Sequence, residues 1–208
     1  METTPCTAPL AALRGRHLVF DADFTPDEIR SLMRLAVDLK ALRKRRRFTP
    51  FLAGHHLAMI YEVASTRTRV SFENGFEELG GNAVYLRPGE IHMPGRETIA
   101  DTAQTLSRLC DAIQIRAKSH ETIVELARHA TVPVINGMDG ISHPCQAMSD
   151  MLTIFECAGD LDGLKLAFIG DASEASNVCS SVSFTACRMG IDVKVVTRPE
   201  DEADKKRR

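Results

Sequence analysis

The 208-residue chain has neither a long apolar run nor a marked excess of charge. No stretch approaches the roughly 18 apolar residues that a membrane-spanning helix needs. Met1 to Arg16 lack a basic start followed by a sustained apolar run, so no secretory signal is expected. The formal net charge of −2 creates no field that favours nucleic acid or an anionic membrane. The one basic run, residues 43–47, has no aromatic interleaving and suits a solvated helix end, so nucleic-acid binding is not expected either.

The sequence also lacks the spacing of a disulfide framework, a metal site or a dinucleotide loop. Its six cysteines form no C-x-x-C pair, so we expect reduced thiols in a cytoplasmic protein. Cys145 is interpreted as a packed thiol, because no base stands beside it in sequence. His55 and His56 have no further ligands at a recognisable spacing, and Gly170 to Ser176 contain no G-x-G-x-x-G motif. We therefore expect no metal and no cofactor.

Helical and strand patterns alternate along the chain, which predicts an α/β fold with a mainly parallel sheet and helices on both faces. The first helix is the most clearly marked, since Thr25 can act as N-cap, Pro26 can take the first helical position and Glu28 can close a capping box. The predicted strands are 57–61, 83–86, 111–116, 132–135, 164–169 and 191–196. The later predicted helices are 66–79, 97–109, 119–130, 144–156 and 178–189.

Two structural units are expected. Residues 1–158 would form the first domain and would include a linking helix near 144–157. A turn at Gly159 to Gly163 would lead into residues 159–208, an incomplete second α/β domain of Rossmann-like type. A single βαβ unit cannot bury both faces of its sheet, which is why this part is interpreted as incomplete. Residues 199–208 are charged and aperiodic and are expected to form a frayed tail.

A cluster of hydroxyl and guanidinium groups follows the first predicted strand. It reads Ser65-Thr66-Arg67-Thr68-Arg69 and opens the next predicted helix. The N-terminus of a helix offers unpaired N–H groups and partial positive charge at the sheet edge where ligands bind, which suits a phosphate. Arg67 and Arg69 can each reach an anion with paired N–H groups. A plain capped helix with two surface arginines is the alternative, but capping needs fewer such side chains.

Polar side chains also stand at two other strand ends. Arg116 ends the third predicted strand, and His143-Pro144-Cys145-Gln146 follows the fourth and opens a helix. Proline at the first helical position makes His143 the cap, and Gln146, three residues on, can face the same space. A histidine can donate to a carbonyl oxygen that gains negative charge, and a glutamine can bind an amide-like NH2 group. On these residues alone, a capping histidine, a surface glutamine and a solvated arginine explain the pattern equally well.

A loop rich in glycine and proline, residues 87–96, carries His92 and Arg96. Such a loop can be a mobile lid, or it can reach a neighbouring subunit. The residues alone do not decide between these two roles.

Together, these motifs resemble the aspartate and ornithine carbamoyltransferase family. Ser65 to Glu73 match its S-T-R-T-R signature followed by V-S-F-E, and His143 to Gln146 match H-P-C-Q. Glu97 to Ala103 resemble the E-(S/T)-x-x-D-T-A segment between them, and the resemblance covers residues 15–197. It implies a carbamoyl-phosphate domain and an amino-acid domain, assembled as homotrimers with shared active sites, without metal or cofactor.

Within the family, the resemblance is to the ornithine rather than the aspartate enzymes. It rests on Val134 to Gly137, on the loop Glu90 to Met93, and on Asn177 to Cys179, which resemble the ornithine-type N-N-x-x-x-S loop. It implies transfer of the carbamoyl group from carbamoyl phosphate to the δ-amine of L-ornithine, which gives citrulline and phosphate.

The resemblance also implies roles for single residues. The phosphate-binding residues would be Ser65, Thr66, Arg67 and Thr68. Arg116 would bridge phosphate and carbonyl oxygen, His143 would polarise that carbonyl, and Gln146 would hold the carbamoyl NH2 group. His92 would reach the active site of an adjacent subunit, and Asn177 would touch the amino acid. Catalysis would then depend on positioning and on fixed donors aimed at the developing oxyanion.

Some features depart from the family pattern. Tyr61 to Ala64 lack the lysine of the usual F-E-K-x segment, the loop 170–177 is longer by Ser173 and Glu174, and Ser180 replaces a more usual Asn or His. The family's D-x-x-x-S-M-G and H-C-L-P segments have no counterpart. The sequence is therefore expected to be either a fragment of a longer enzyme or a truncated relative.

Two functions stay open at this point. The chain is either part of a carbamoyltransferase, for ornithine or for putrescine or acylated ornithine, or an inactive module that binds carbamoyl phosphate or assembles with a full-length partner. We expect the isolated chain to form no citrulline and to be protected by carbamoyl phosphate against thermal unfolding.

Overall fold

A computed structural model of the chain describes residues 8–87, 89–93, 95–172 and 176–198. Each predicted strand and helix is present, and a short 3-10 helix, Ala8–Leu13, precedes them. The helices are α1 (Pro26–Lys44), α2 (Thr66–Glu78), α3 (Ile99–Leu109), α4 (His120–His129), α5 (Pro144–Ala158) and α6 (Asn177–Arg188). The strands are β1 (His56–Tyr61), β2 (Asn82–Leu86), β3 (Ala112–Arg116), β4 (Val134–Met138), β5 (Lys165–Ile169) and β6 (Asp192–Val196).

The strands form two parallel sheets, which confirms the predicted α/β fold. The larger sheet has the order β2-β1-β3-β4, and β5 pairs with β6 in the smaller one. Helices cover both faces of the larger sheet. One face packs on α3 and α4 through Ala103, Ile123 and Leu126. The other packs on α2, through Phe72 and Phe76, and on α1 and α5.

The start of α1 shows how closely local sequence sets this fold. The Thr25 backbone N–H donates to Glu28 Oε2 over 2.7 Å, and the Glu28 N–H donates to Thr25 Oγ1 over 3.3 Å. This is the predicted capping box, with Pro26 at the first helical position. Phe24 and Ile29 flank it and are both buried in the apolar core. The cap therefore fixes the angle at which α1 enters the structure.

Several element boundaries differ from the prediction by one to three residues, and those of α3 and β4 have a clear physical reason. Helix α3 begins at Ile99 rather than 97, because Thr98 is its N-cap and accepts a bond from the Asp101 N–H over 3.0 Å. Strand β4 continues to Met138, beyond the predicted end at 135. It is extended because Asn136 pairs with Ile115 and Met138 pairs with Arg116 on β3. The predicted tail 199–208 and the inserted residues Ser173 and Glu174 lie outside the described residues.

The smaller sheet does not form a separate core. One apolar cluster joins α1 and α5 to the second part of the chain, where it includes Leu161, Ala186 and Ile191. Within the described part of that sheet, the carboxyl ends of the strands stay open to solvent, with Ile169 79% and Val196 53% exposed. The expected division between residues 158 and 159 stays a prediction. No helix in the described ranges is long and apolar enough to cross a membrane.

Candidate functional site

The first side of the site is the N-terminus of α2. Ser65 is the N-cap, and its hydroxyl oxygen accepts from the Thr68 N–H over 3.3 Å and donates to Thr68 Oγ1 over 3.0 Å. This turn follows the carboxyl end of β1, where open parallel sheets bind ligands. Arg67 projects from it as an exposed side chain. The free backbone donors and the guanidinium together suit an anion.

The second side is the N-terminus of α5. Pro144 takes the first helical position and His143 is the N-cap, but the imidazole makes no capping hydrogen bond. The backbone N–H of His143 instead donates over 2.7 Å to the Ser181 hydroxyl on α6. The Nδ1 atom of His143 is buried and has no hydrogen-bond partner within the described ranges. The backbone of His143 is thus held in place, while the imidazole Nδ1 is available to bind a ligand.

Arg116 reaches the site from the end of β3, next to an irregularity in the sheet. The register between β3 and β4 shifts between Ile115 and Arg116, and Arg116 pairs with Met138. Met138 has a φ of 148°, which is costly for a residue with a side chain and is found at functional sites. Arg116 is half-buried, and its Nε has no partner among the residues that the structure describes.

One cavity joins both helix N-termini. Its volume is about 510 Å³. Four of the predicted site residues line it, namely Arg67, Thr68, His143 and Gln146. Phe72, Phe76 and Leu79 provide an apolar wall. The space is large enough for a small phosphorylated compound, and cationic, hydroxyl and amide groups line it.

Arg116 interacts electrostatically with two of the residues that line the cavity, Arg67 and His143. Burial lowers the pKa of Arg116, Tyr61 opposes this effect, and the charge of Arg67 lowers the pKa further. Burial, and then the charge of Arg116, lower the pKa of His143 to about 4, against a smaller opposing effect of Asp139. His143 is therefore a neutral imidazole at pH 7, able to donate one hydrogen bond without carrying charge. The two arginines repel each other, and a bound anion would remove that repulsion.

The other predicted site residues are not part of the lining of this cavity. Ser65 caps α2, and Thr66 borders a neighbouring groove together with Arg67. His92 is exposed on the loop after β2. Asn177 starts α6, and its amide donates to the Asp139 carbonyl over 2.6 Å. The structure thus brings four of the nine candidates into one lining and leaves the amino-acid candidates His92 and Asn177 outside it.

Arg69 does not join the anion site as the sequence suggested. Its Nε lies 3.2 Å from Glu73 Oε2, one helical turn on. Its guanidinium carbon lies 3.9 Å from the centre of the Tyr85 ring. These two contacts hold the side chain against the sheet, so Arg67 alone supplies the exposed cation at the start of α2.

Cys145 lies in the lining, and its environment makes it unreactive. Burial raises the pKa of its thiol to about 12, and Sγ donates to the Asn136 carbonyl over 3.3 Å. The thiolate is the reactive form. We expect iodoacetamide at pH 7.5 to label the exposed Cys157 and Cys187 at least tenfold faster than Cys145, measured by peptide mass spectrometry. Comparable labelling of Cys145 would contradict this assignment.

Sequence reasoning missed the polar groups that support the site. Asp139 is fully buried and accepts from His120 Nδ1 over 2.7 Å. Asp150 accepts from the Gln146 amide over 2.9 Å, and Ser181 bonds the His143 backbone. The helical spacing of four between Gln146 and Asp150 was a usable signal, whereas nothing local links Ser181 to His143. No group of three or more His, Cys, Asp or Glu side chains within the described ranges could hold a metal ion.

The sequence of this chain is similar to a known family and to curated proteins. Residues 16–156 match the family model described as aspartate/ornithine carbamoyltransferase, carbamoyl-P binding domain. The chain is 48% identical over 193 residues to an ornithine carbamoyltransferase of Halalkalibacterium halodurans, covering 93% of this chain and 60% of that protein. It is 43% identical over 197 residues to one of Pyrococcus horikoshii, covering 95% of this chain and 61% of that protein.

Solved structures agree with these sequence relatives. The ornithine carbamoyltransferase of Pyrococcus furiosus matches with a TM-score of 0.86 at 43% identity, over 93% of this chain and 62% of that one. An aspartate transcarbamoylase of Trypanosoma cruzi in complex with carbamoyl phosphate matches with a TM-score of 0.81 at 28% identity, over 89% of this chain and 57% of that one. The chain spans about 60% of the length of the curated relatives. Because the family model matches most of the length of this chain, the chain belongs to the aspartate/ornithine carbamoyltransferase family.

Proposed function

We propose that this chain forms the carbamoyl-phosphate site of an ornithine-type carbamoyltransferase. The observation that carries the proposal is the single cavity lined by Arg67, Thr68, His143 and Gln146, with the charge of Arg67 acting on Arg116 and the charge of Arg116 acting on His143. The names of the relatives support ornithine as the acceptor. Putrescine and acylated ornithine are alternative acceptors that the same carbamoyl-phosphate site would serve.

Each group in the cavity has a chemical task in this reaction. The phosphate would bind at the start of α2, to Ser65, Thr66, Arg67 and Thr68. Arg116 would bridge the phosphate and the carbonyl oxygen, and the neutral imidazole of His143 would donate to that oxygen. Gln146 would accept a hydrogen bond from the carbamoyl NH2 group. The δ-amine attacks the carbonyl carbon and loses a proton, the bond from that carbon to the phosphate oxygen breaks, and inorganic phosphate leaves.

The amino-acid side of the proposal rests on His92 and Asn177. His92 is exposed on a surface loop, where it is accessible to an adjacent subunit, as a homotrimer with shared sites requires. Asn177 lies at the start of α6, one helical turn before the Ser181 hydroxyl that holds the His143 backbone. We infer a homotrimer working in the cytoplasm, with the acceptor amine entering between these two groups.

Carbamoyl phosphate binding tests the first half of the proposal. We expect titration calorimetry to show binding to the chain, and Arg67→Ala to weaken it roughly 10- to 100-fold, because hydrogen bonds to charged groups are strong. Arg67 is exposed, so its removal should leave the thermal midpoint almost unchanged. Arg34→Ala, an exposed arginine on α1, is the matched control and should bind normally. Equal affinity of the Arg67→Ala and Arg34→Ala chains would remove the assigned phosphate site.

A turnover assay separates the transferase from a module that only binds. Citrulline formed from carbamoyl phosphate and ornithine would identify the transferase, and putrescine tests the alternative acceptor. Binding of carbamoyl phosphate without any product would favour the binding module.

A further inference from the structure

Gln146 is tied to a second side chain that lies outside the cavity. It stands in the first turn of α5 and lines the cavity, while Asp150 follows one helical turn later. The amide nitrogen Nε2 of Gln146 donates to Asp150 Oδ1 over 2.9 Å. Asp150 is half-buried and is not among the cavity-lining residues. This contact fixes which way the NH2 group and the carbonyl oxygen of the Gln146 amide point.

The chemistry of the pair fixes the orientation of the amide. A carboxylate only accepts hydrogen bonds, so the NH2 end of Gln146 has to face Asp150. The carbonyl oxygen Oε1 is then the end that can meet a ligand. An oxygen there accepts from an N–H donor and offers nothing to a methyl group, which would leave it without a partner.

We propose that Asp150 is a positioning residue that makes the site select acyl phosphates whose carbonyl carbon carries an NH2 group. This inference rests on the proposed function, because it assumes that the acyl phosphate lies against Gln146. Acetyl phosphate has a methyl group where carbamoyl phosphate has NH2 and is otherwise of the same shape. The ratio of the two affinities therefore measures what Asp150 contributes, separately from the phosphate contacts that both ligands share.

Asp150→Asn is the decisive substitution. Asparagine carries an oxygen and an NH2 group, so Gln146 can bond to it with either end and can turn its own NH2 group towards the ligand. We expect the preference for carbamoyl phosphate over acetyl phosphate, measured by calorimetry, to fall roughly 3- to 10-fold, as for the loss of one net hydrogen bond. Affinity for inorganic phosphate should stay unchanged. Asp38→Asn, an exposed carboxylate on α1, is the matched control.

The outcomes distinguish this inference from the function on which it rests. If the unsubstituted chain binds neither acyl phosphate, the proposed function fails. If it prefers carbamoyl phosphate and Asp150→Asn keeps that preference in full, the positioning role is overturned. The unsubstituted chain gives a second check by NMR. Saturation with carbamoyl phosphate should leave the Gln146 side-chain NH2 signals nearly unmoved, and a large shift shows that this end faces the ligand and also overturns the inference.

Discussion

Replacing Asn136 with alanine should lower the free energy of unfolding by about 3 to 5 kcal/mol, the sum of two or three buried polar groups left unpaired. Asn136 is fully buried in β4. Its Nδ2 lies 2.8 Å from the Val19 carbonyl, 2.8 Å from Asp139 Oδ2 and 3.0 Å from the Ser142 hydroxyl. Its Oδ1 accepts from the Met138 N–H over 2.8 Å. An alanine methyl group replaces none of these contacts.

The substitution should also disturb the strained backbone next to Arg116. Met138 has a φ of 148° and is held there partly by the bond from its own N–H to Asn136. Without that bond, the strained segment can relax, and the irregular pairing of Met138 with Arg116 can relax with it. The Asn136→Ala chain should therefore also bind carbamoyl phosphate more weakly, although Asn136 does not line the cavity.

Urea unfolding followed by circular dichroism measures this prediction. Asn82→Ala is the matched control, since Asn82 is exposed at the start of β2, and it should change the free energy of unfolding by less than about 0.5 kcal/mol. Native stabilities are of the order of 5 to 15 kcal/mol, so the Asn136 variant should have lost a large part of its stability. A loss below about 1 kcal/mol would show that the contacts around Asn136 are dispensable.

Local patterns were sufficient to predict the fold and the helix N-termini that line the cavity. The capping box at Thr25, the hydroxyl cap at Ser65 and the proline after His143 each act within four residues, so the sequence shows them directly. Parallel strands place their carboxyl ends on one edge, which is why Arg116 and the two helix N-termini were expected together.

The support of the site was not predictable, because it depends on contacts between distant parts of the chain. Leu18 pairs beside Ile135, and Ser181 reaches the His143 backbone from α6. Neither contact leaves a periodic pattern in the sequence. The direction of the Asn177 amide, towards the Asp139 carbonyl, is likewise set by how α6 packs on α5 rather than by any local motif.

Replacing Arg116 with methionine should weaken carbamoyl phosphate binding roughly 10- to 150-fold, the range expected when a hydrogen bond to a charged group is lost. The ligand-free variant should nevertheless be at least as stable as the parent chain. The Nε atom of Arg116 is buried and has no partner among the described residues, and the nearby charge of Arg67 opposes that of Arg116. Methionine removes the repulsion and fills much of the same volume, so stability and binding should change in opposite directions.

The pKa of His143 provides an independent test of the Arg116→Met substitution. Burial and then the charge of Arg116 lower its pKa from 6.5 to about 4. A folded-state pKa below the unfolded value means that stability is lost as the pH falls from 6.5 towards 4, because the unfolded chain takes up the proton first. Arg116→Met should raise this pKa, but not beyond 6.5 because burial remains, and should reduce the acid-induced loss of stability.

The combination of these readouts makes the assignment of Arg116 testable. NMR titration of the imidazole, thermal unfolding between pH 4 and pH 7, and calorimetry with carbamoyl phosphate report on three different properties, and Arg34→Met on exposed α1 surface should alter none of them. A purely structural arginine would lose stability on substitution and leave the imidazole pKa where it was. If the charge of Arg116 serves the ligand, the substitution should leave stability the same or higher and should raise the imidazole pKa. The pKa of His143 therefore shows whether the charge of Arg116 reaches the imidazole, and calorimetry shows whether that charge serves the bound anion.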